Sequence, residues 1–221
     1  MRIGVLGTGI VGRTIGGRLV ELGHEVKLGS RTADNADATA WAGEAGQGAS
    51  HGTFADAAAF GEVLFNCTGG MVTLAALEAA GEDNIGDKVL VDVSNPLDFS
   101  QGMPPRLAVA NTDSVGEQIQ RRFPSARVVK SLNTMNSSVM VRPAQVSGYH
   151  NVFVSGDDDS AKATVTDLLG QFGWPKEAVI DLGDIKSARG AEAFVLFWVF
   201  LRGALGGNQF NLGVVPPPAS P

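Results

Sequence analysis

The sequence predicts an α/β fold, a doubly wound parallel sheet with a small C-terminal α/β extension that ends in a long apolar helix. Three observations predict it. Short apolar runs alternate with longer helical patterns, as in successive βαβ units. Runs such as VLVDV are continuously apolar, as strands covered on both faces are. The first run enters a glycine-rich turn that opens a helix.

The elements follow in order. Strands are expected at 3–6, 26–28, 63–66, 89–93, 127–130, 152–155 and 179–182, because each is rich in β-branched or apolar residues and most end near Gly, Asn or Ser. Helices are expected between most of them, at 11–22, 34–45, 71–80, 114–123 and 159–172. Right-handed crossovers leave the doubly wound sheet as the simplest topology. Residues 94–112 break the rhythm: Pro96, Gly102, Met103, Pro104 and Pro105 fall in a stretch without periodicity, which reads as a functional or mobile loop. The last helix, 187–205, is apolar on every face from 194 to 201, which predicts burial all round, in a core or against a second subunit of a homodimer. The tail 214–221, VVPPPASP, is expected to be frayed or extended. We divide the chain into a nucleotide-binding domain, 1–150, and an extension, 151–221, that completes the acceptor site and supplies the dimer contact.

Composition narrows the function. The chain has 221 residues and a net charge of −6, with charges scattered, so nucleic acid is not an expected partner. Its 29 glycines show no fixed period, which excludes collagen and fits turn positions. One cysteine, Cys67, excludes an internal disulfide and a cysteine-based zinc cage. The N-terminus lacks a cleavage pattern, and the longest apolar stretch, 193–201, is half of what a bilayer span needs. A cytoplasmic protein without membrane contact is the expectation.

Gly7, Gly9 and Gly12 form G-x-G-x-x-G, with Thr8, Ile10 and Val11 between them. The motif follows a strand, opens a helix and precedes a second strand, the context that a dinucleotide-binding turn requires. The first glycine permits the tight turn, the second lets a pyrophosphate approach backbone, and the third lets helix and strand pack closely. The helix N-terminus offers free N–H groups to the anion. At the end of the second strand, where NAD proteins place Asp or Glu on the ribose 2′-OH, this chain has Gly29, Ser30 and Arg31. Glu25 lies at the other end of that strand and Asp34 in the next helix. A hydroxyl and a guanidinium without a carboxylate predict a 2′-phosphate, hence NADP(H).

The segments MRIGVLGTGIVG, LGHEVKLGSR, VVKSLNTM, VSGDDDSAKATV, GDIKSARGAEAF and FNLGVV, in this order, resemble the NADPH-dependent deazaflavin (coenzyme F420) reductases. The cytosolic domain of the STEAP metalloreductases is similar. The resemblance covers nearly the whole chain. It implies that Thr8, Ser30 and Arg31 hold the 2′-phosphate. It also implies that a deazaflavin or flavin acceptor lies over the nicotinamide near 67–71, 94–97 and 132–135, so that Cys67, Thr68, Gly69, Asn95, Pro96, Asn133 and Met135 join the site. Asn35 stands where the family often has a basic residue. Asn133 stands where some deazaflavin reductases have His; Asn there is similar to the metalloreductase branch.

Hydride transfer between stacked rings needs little acid–base help from protein, and no catalytic side chain is assigned. His24 falls in a helix-to-strand turn, His51 in a polar loop and His150 before a strand. Lys130, at the end of VVK, is the best candidate for a proton-transfer group, but reads more simply as a strand lysine snorkelling to the surface. Cys67 reads as a small buried hydrophobe. The run Asp157, Asp158 and Asp159 directly precedes a helix, so capping explains it better than a metal. Two further readings are a flavin-mediated reductase of chelated metal and a non-catalytic NADP(H)-sensing module that uses its last helix to bind a partner.

Overall fold

The computed structural model describes residues 1–215. The elements are β1 (Arg2–Leu6), α1 (Ile10–Glu21), β2 (Glu25–Ser30), α2 (Ala36–Ala45), β3 (Ala49–Thr53), α3 (Phe54–Phe60), β4 (Val63–Asn66), α4 (Thr73–Ala80), α5 (Glu82–Ile85), β5 (Val89–Asp92), β6 (Leu97–Asp98), β7 (Arg106–Leu107), α6 (Val115–Arg122), β8 (Arg127–Ser131), α7 (Ser137–Val141), β9 (Val152–Ser155), α8 (Asp159–Phe172), β10 (Val179–Asp181) and α9 (Ala188–Leu205). Eight strands form one sheet in the order β10-β9-β8-β5-β4-β1-β2-β3. The order reverses beside β1, where open α/β sheets bind ligands outside the carboxyl ends of their strands.

Strand residues alternate between two cores, as the period of two requires. Val63, Phe65, Val89 and Val91 join one core with Ile15, Leu19 and Trp41 of α1 and α2 and with Leu168, Leu169 and Phe172 of α8. Leu64, Leu90 and Val128 face the other way, into a core with Ala57, Leu77, Ile119 and Ala188. Local chemistry starts the helices: Asn35 caps α2 through Ala38 N, Thr53 and Asp56 form a reciprocal capping box on α3, and Asp158 caps α8 through Ala161 N.

The doubly wound α/β class holds, and three details of the expectation need correction. The sheet is not wholly parallel: β8 and β9 pair antiparallel, Lys130 opposite Ser155, while β9 and β10 run parallel to each other. An antiparallel neighbour needs no crossover from edge to edge, so residues 132–151 can stay near the end of β8. The last two strands thereby extend the one sheet. His51 lies on strand β3, not in a loop, with Nδ1 3.1 Å from Ala33 O. The stretch 94–112 holds an antiparallel hairpin, β6–β7, with Leu97 opposite Leu107.

Helix α9 is buried on one face only by its own chain, which is compatible with both alternatives the sequence left open. Ala188, Ala191, Glu192 and Val195 face the body, whereas Phe197, Phe200 and Leu205 are 54%, 61% and 62% exposed. Trp198 is covered by the returning chain through a stack on Phe210. No helix among the described residues is long and apolar enough to cross a membrane. Of the tail expected to fray, residues 216–221 lie outside the described residues. Val214 N donates to Asn151 Oδ1 at 2.7 Å, and Val215 is exposed.

Candidate functional site

The expected site residues converge along the carboxyl edge of the sheet. Gly7 has φ +119°, a conformation that costs glycine nothing, and a Cβ there would press on Cys67 O. A Cβ on Gly12 would overlap Gly7 O. These two glycines are required by the protein itself. Gly9 differs: its φ of −70° suits any residue, and a Cβ would meet no protein atom within 4 Å. Gly9 caps the N-terminus of α1 without a side chain, beside half-buried Thr8 and Val11 and the 69% exposed Ile10. The structure leaves an open cradle at free helix N–H groups, the shape and polarity that a pyrophosphate fits.

One end of the edge is fixed by Gly7 N donating to Gly29 O at 2.9 Å, which brings the turn beside Ser30 and Arg31. Ser30 is buried, and its hydroxyl donates to Thr32 O at 2.5 Å. Arg31 is exposed and has no carboxylate partner among the described residues. Nearby, Arg13 of α1 pairs with Asp37 of α2 at 3.1 Å, a cation that reading the motif overlooked. Asn35 is occupied as the cap of α2.

Toward the middle, Cys67 N donates to Leu6 O at 2.8 Å. Burial, together with Asp92, pushes the Cys67 thiol up, which suits a packing role and not a nucleophile. Thr68 Oγ1 donates to Asn66 Oδ1 at 2.7 Å, and Asn66 Nδ2 donates to Asp92 Oδ1 at 2.7 Å. These bonds leave Gly69, Met71 and Val72 at the surface, the latter two 58% and 57% exposed. Gly70 N donates to Asn95 O at 3.1 Å, joining the loops after β4 and β5.

At the far end, Asn95 Nδ2 donates to Asn133 O at 2.8 Å. Asn133 Nδ2 donates to Asn95 Oδ1 at 2.9 Å and to Ala191 O at 3.0 Å. Two backbone carbonyls therefore fix both amide orientations, and Asn133 Oδ1 accepts no hydrogen bond from the described residues. Leu132, just before it, has φ +64°, a strained conformation for a branched residue that its surroundings must hold. Pro96 is buried, and its carbonyl accepts from Ala108 N at 2.9 Å. Met135, expected at the site, turns its side chain into the core against the α1 face.

Lys130 does not snorkel. It is 1% exposed, and its ammonium donates to Asp92 Oδ2 at 2.7 Å and Ser94 O at 2.5 Å and pairs with Glu192 Oε1 at 2.8 Å. Glu192 also accepts from Val115 N and Gly116 N at 2.8 and 3.0 Å, so the start of α6 offsets the second carboxylate. Burial works against the charge on Lys130, but Asp92 and Glu192 outweigh it and hold the ammonium above the ordinary lysine value of 10.5. Burial raises Glu192, partly countered by Lys130. A raised lysine stabilises the fold fully below its unfolded value and loses that contribution as pH rises through the folded one. The melting-temperature gap between wild type and Lys130→Met should therefore narrow above pH 10.5, as differential scanning fluorimetry across that range would show. A constant gap would mean that the ammonium adds nothing.

The three histidines bond elsewhere: His24 to Gln171, His51 to Ala33 O, and His150 to Pro143 O and Asn211. Asp157 accepts from Ile185 N, Asp158 caps α8 and Asp159 pairs with Lys162, so the acidic run is used in local structure.

Residues 2–96 match the family described as NADP oxidoreductase, coenzyme F420-dependent. A solved structure from Arthrobacter sp. FB24, provisionally described as an F420-dependent NADP reductase, is 52% identical with a TM-score of 0.92, covering 98% of this chain and 100% of its own. The metalloreductase STEAP3 of Rattus norvegicus is 29% identical over 201 residues, 88% of this chain but 36% of the rat protein, so the chain spans about a third of that relative. A reductive aminase from Aspergillus terreus, solved with NADPH, is 18% identical with a TM-score of 0.66 over 93% of this chain and 62% of its own; it shares the fold. With a relative 52% identical over its full length and a family match across the glycine turn and the first strands, the chain belongs to the coenzyme F420-dependent NADP oxidoreductases.

Proposed function

We propose that this oxidoreductase passes hydride between NADPH and a deazaflavin, coenzyme F420, or a flavin-type ring. In this reading the pyrophosphate lies on the Gly9 cradle, the 2′-phosphate meets Ser30 and Arg31, and the nicotinamide reaches the edge between Thr68 and Asn133. The open Gly9 cradle, on the same sheet edge as Asn133 and joined to it by hydrogen bonds through the loops after β4 and β5, carries the reading. Coenzyme F420 as acceptor is supported by the 52% identical relative.

When both are bound, the nicotinamide and the acceptor ring supply the redox chemistry between themselves. The chain's part is to bind, orient and exclude water. Asn133 Oδ1 can accept a hydrogen bond from a carboxamide or ring N–H, while its Nδ2 is already committed. Ile10, Met71 and Val72 offer apolar surface for a flat ring. Asn133→Ala should leave NADPH affinity within a few-fold and slow acceptor reduction, as titration and single-turnover absorbance would show. A large loss of NADPH binding with intact turnover would overturn the placement.

The likeness to the rat metalloreductase supports a second reading, a flavin-mediated reductase of chelated metal. We also propose a homodimer through α9. Phe197, Phe200 and Leu205 leave an apolar face beside the hairpin that carries exposed Phe99 and Met103. Two-fold pairing is the commonest way to cover such a face. Light scattering at micromolar concentration should give a dimer for wild type and a monomer for Phe200→Asp; monomeric wild type would contradict it.

A further inference from the structure

Two sets of hydrogen bonds near the end of β8 are offset by one residue. Lys130 Nζ holds Ser94 O and Glu192 Oε1. Asn133 Nδ2 holds Asn95 Oδ1 and Ala191 O. Ser94 is bonded to Asn95, and Glu192 to Ala191. Both acceptors that orient the Asn133 amide are therefore chain neighbours of groups gripped by Lys130. One lies in the turn after β5, the other in the first turns of α9. The buried ammonium spans these two segments, with Asp92 as its third partner; Ser94 N donating to Asp92 Oδ1 and the Val115 and Gly116 N–H groups on Glu192 hold each segment from its other side.

We infer that Lys130 is a positioning residue: it sets the turn after β5 and the start of α9 at the separation that clamps the Asn133 amide with Oδ1 free for a ring. This rests on the proposed placement of Asn133 beside the nicotinamide and acceptor. Lys130 is buried and its three donor positions are taken by Asp92, Ser94 and Glu192, so it acts through these partners. The left-handed backbone of Leu132 lies between Lys130 and Asn133, so loosening the clamp also frees a conformation that chain stiffness alone would not keep.

The test has one readout without cofactors and one with them. In the protein alone, the Asn133 side-chain amide protons, followed by NMR, should exchange slowly with solvent. They should exchange about tenfold faster or more in Lys130→Met and in Glu192→Gln, which removes only the acidic end of the bridge. In turnover, misplacing a reacting group by about 1 Å can cost about a hundredfold. Lys130→Met should therefore lower kcat about tenfold or more while NADPH affinity stays within a few-fold. Adding Asn133→Ala to it should then change little, because the two substitutions remove the same function. Unchanged amide exchange in both variants, or fully additive effects on kcat, would overturn the inference. Altered exchange with Asn133→Ala harmless in the wild-type background would keep the clamp and instead refute the placement of Asn133 beside the rings. Glu192→Gln serves both readouts if Lys130→Met fails to fold.

Discussion

Gly9→Val should weaken NADP(H) binding a hundredfold or more while leaving the protein folded, whereas Gly12→Val should damage the fold itself. At Gly9 the backbone suits any residue and a Cβ meets no protein atom. The folding cost is that of a poorer N-cap, about 1 kcal/mol. For a chain of this length that lowers Tm by about 2–4 °C. The side chain would occupy the space of the pyrophosphate and hold it off the N-terminus of α1. Losing two charge-assisted hydrogen bonds of about 1.5–3 kcal/mol each weakens binding by a hundredfold or more, at ~1.4 kcal/mol per tenfold. At Gly12 the added atom overlaps Gly7 O, so α1 must move from β1, at about 3 kcal/mol or more. Tm and Kd measured on both variants separate the cases. Equal loss of Tm would mean that Gly9, too, is structural.

Arg31→Ala should collapse the preference for NADPH over NADH. Arg31 is exposed at the end of β2 with no carboxylate partner among the described residues, so its removal breaks no ion pair. Truncating one partner of a charge-assisted pair costs about 2–5 kcal/mol when the pair is desolvated. The exposure of Arg31 places the effect at the low end, tenfold or more in NADPH affinity. NADH lacks the 2′-phosphate and should bind the variant as it binds wild type. Added salt should weaken NADPH binding to wild type more than to Arg31→Ala, because screening acts on the charge removed. Equal weakening of both coenzymes would make Arg31 structural. A wild type that already prefers NADH would refute the Ser30–Arg31 assignment.

Much of this architecture was legible because it is written locally. β4, β9 and α8 fall at 63–66, 152–155 and 159–172, as their apolar runs and caps predicted. The glycine turn was legible because its three positions carry separate physical demands. β3 was missed because ASHGT has no apolar run; it is a half-buried edge strand stitched to β2. α3 was missed although Thr53 and Asp56 carry the spacing of a capping box, a signal that could have found it. Lys130 was misread because the pattern VVK shows where a strand ends, not what lies across from it. Its partners Asp92 and Glu192 arrive from β5 and α9. Glu192, the one carboxylate in α9, was the available hint, since a charge facing a body must find a counter-charge there. Which face of α9 its own chain leaves open was not legible: an apolar helix looks the same in sequence whether its own chain or another covers it.

The measurement closest to the central claim is NADPH oxidation, followed by absorbance, with one acceptor at a time: coenzyme F420, flavin mononucleotide, flavin adenine dinucleotide and a ferric chelate. Rapid reduction of the deazaflavin is expected, with slower reduction of the flavins and none of the chelate unless a flavin is added. NADPH that binds tightly yet is oxidised by none of the four would contradict the claim and leave a nucleotide-sensing module in its place.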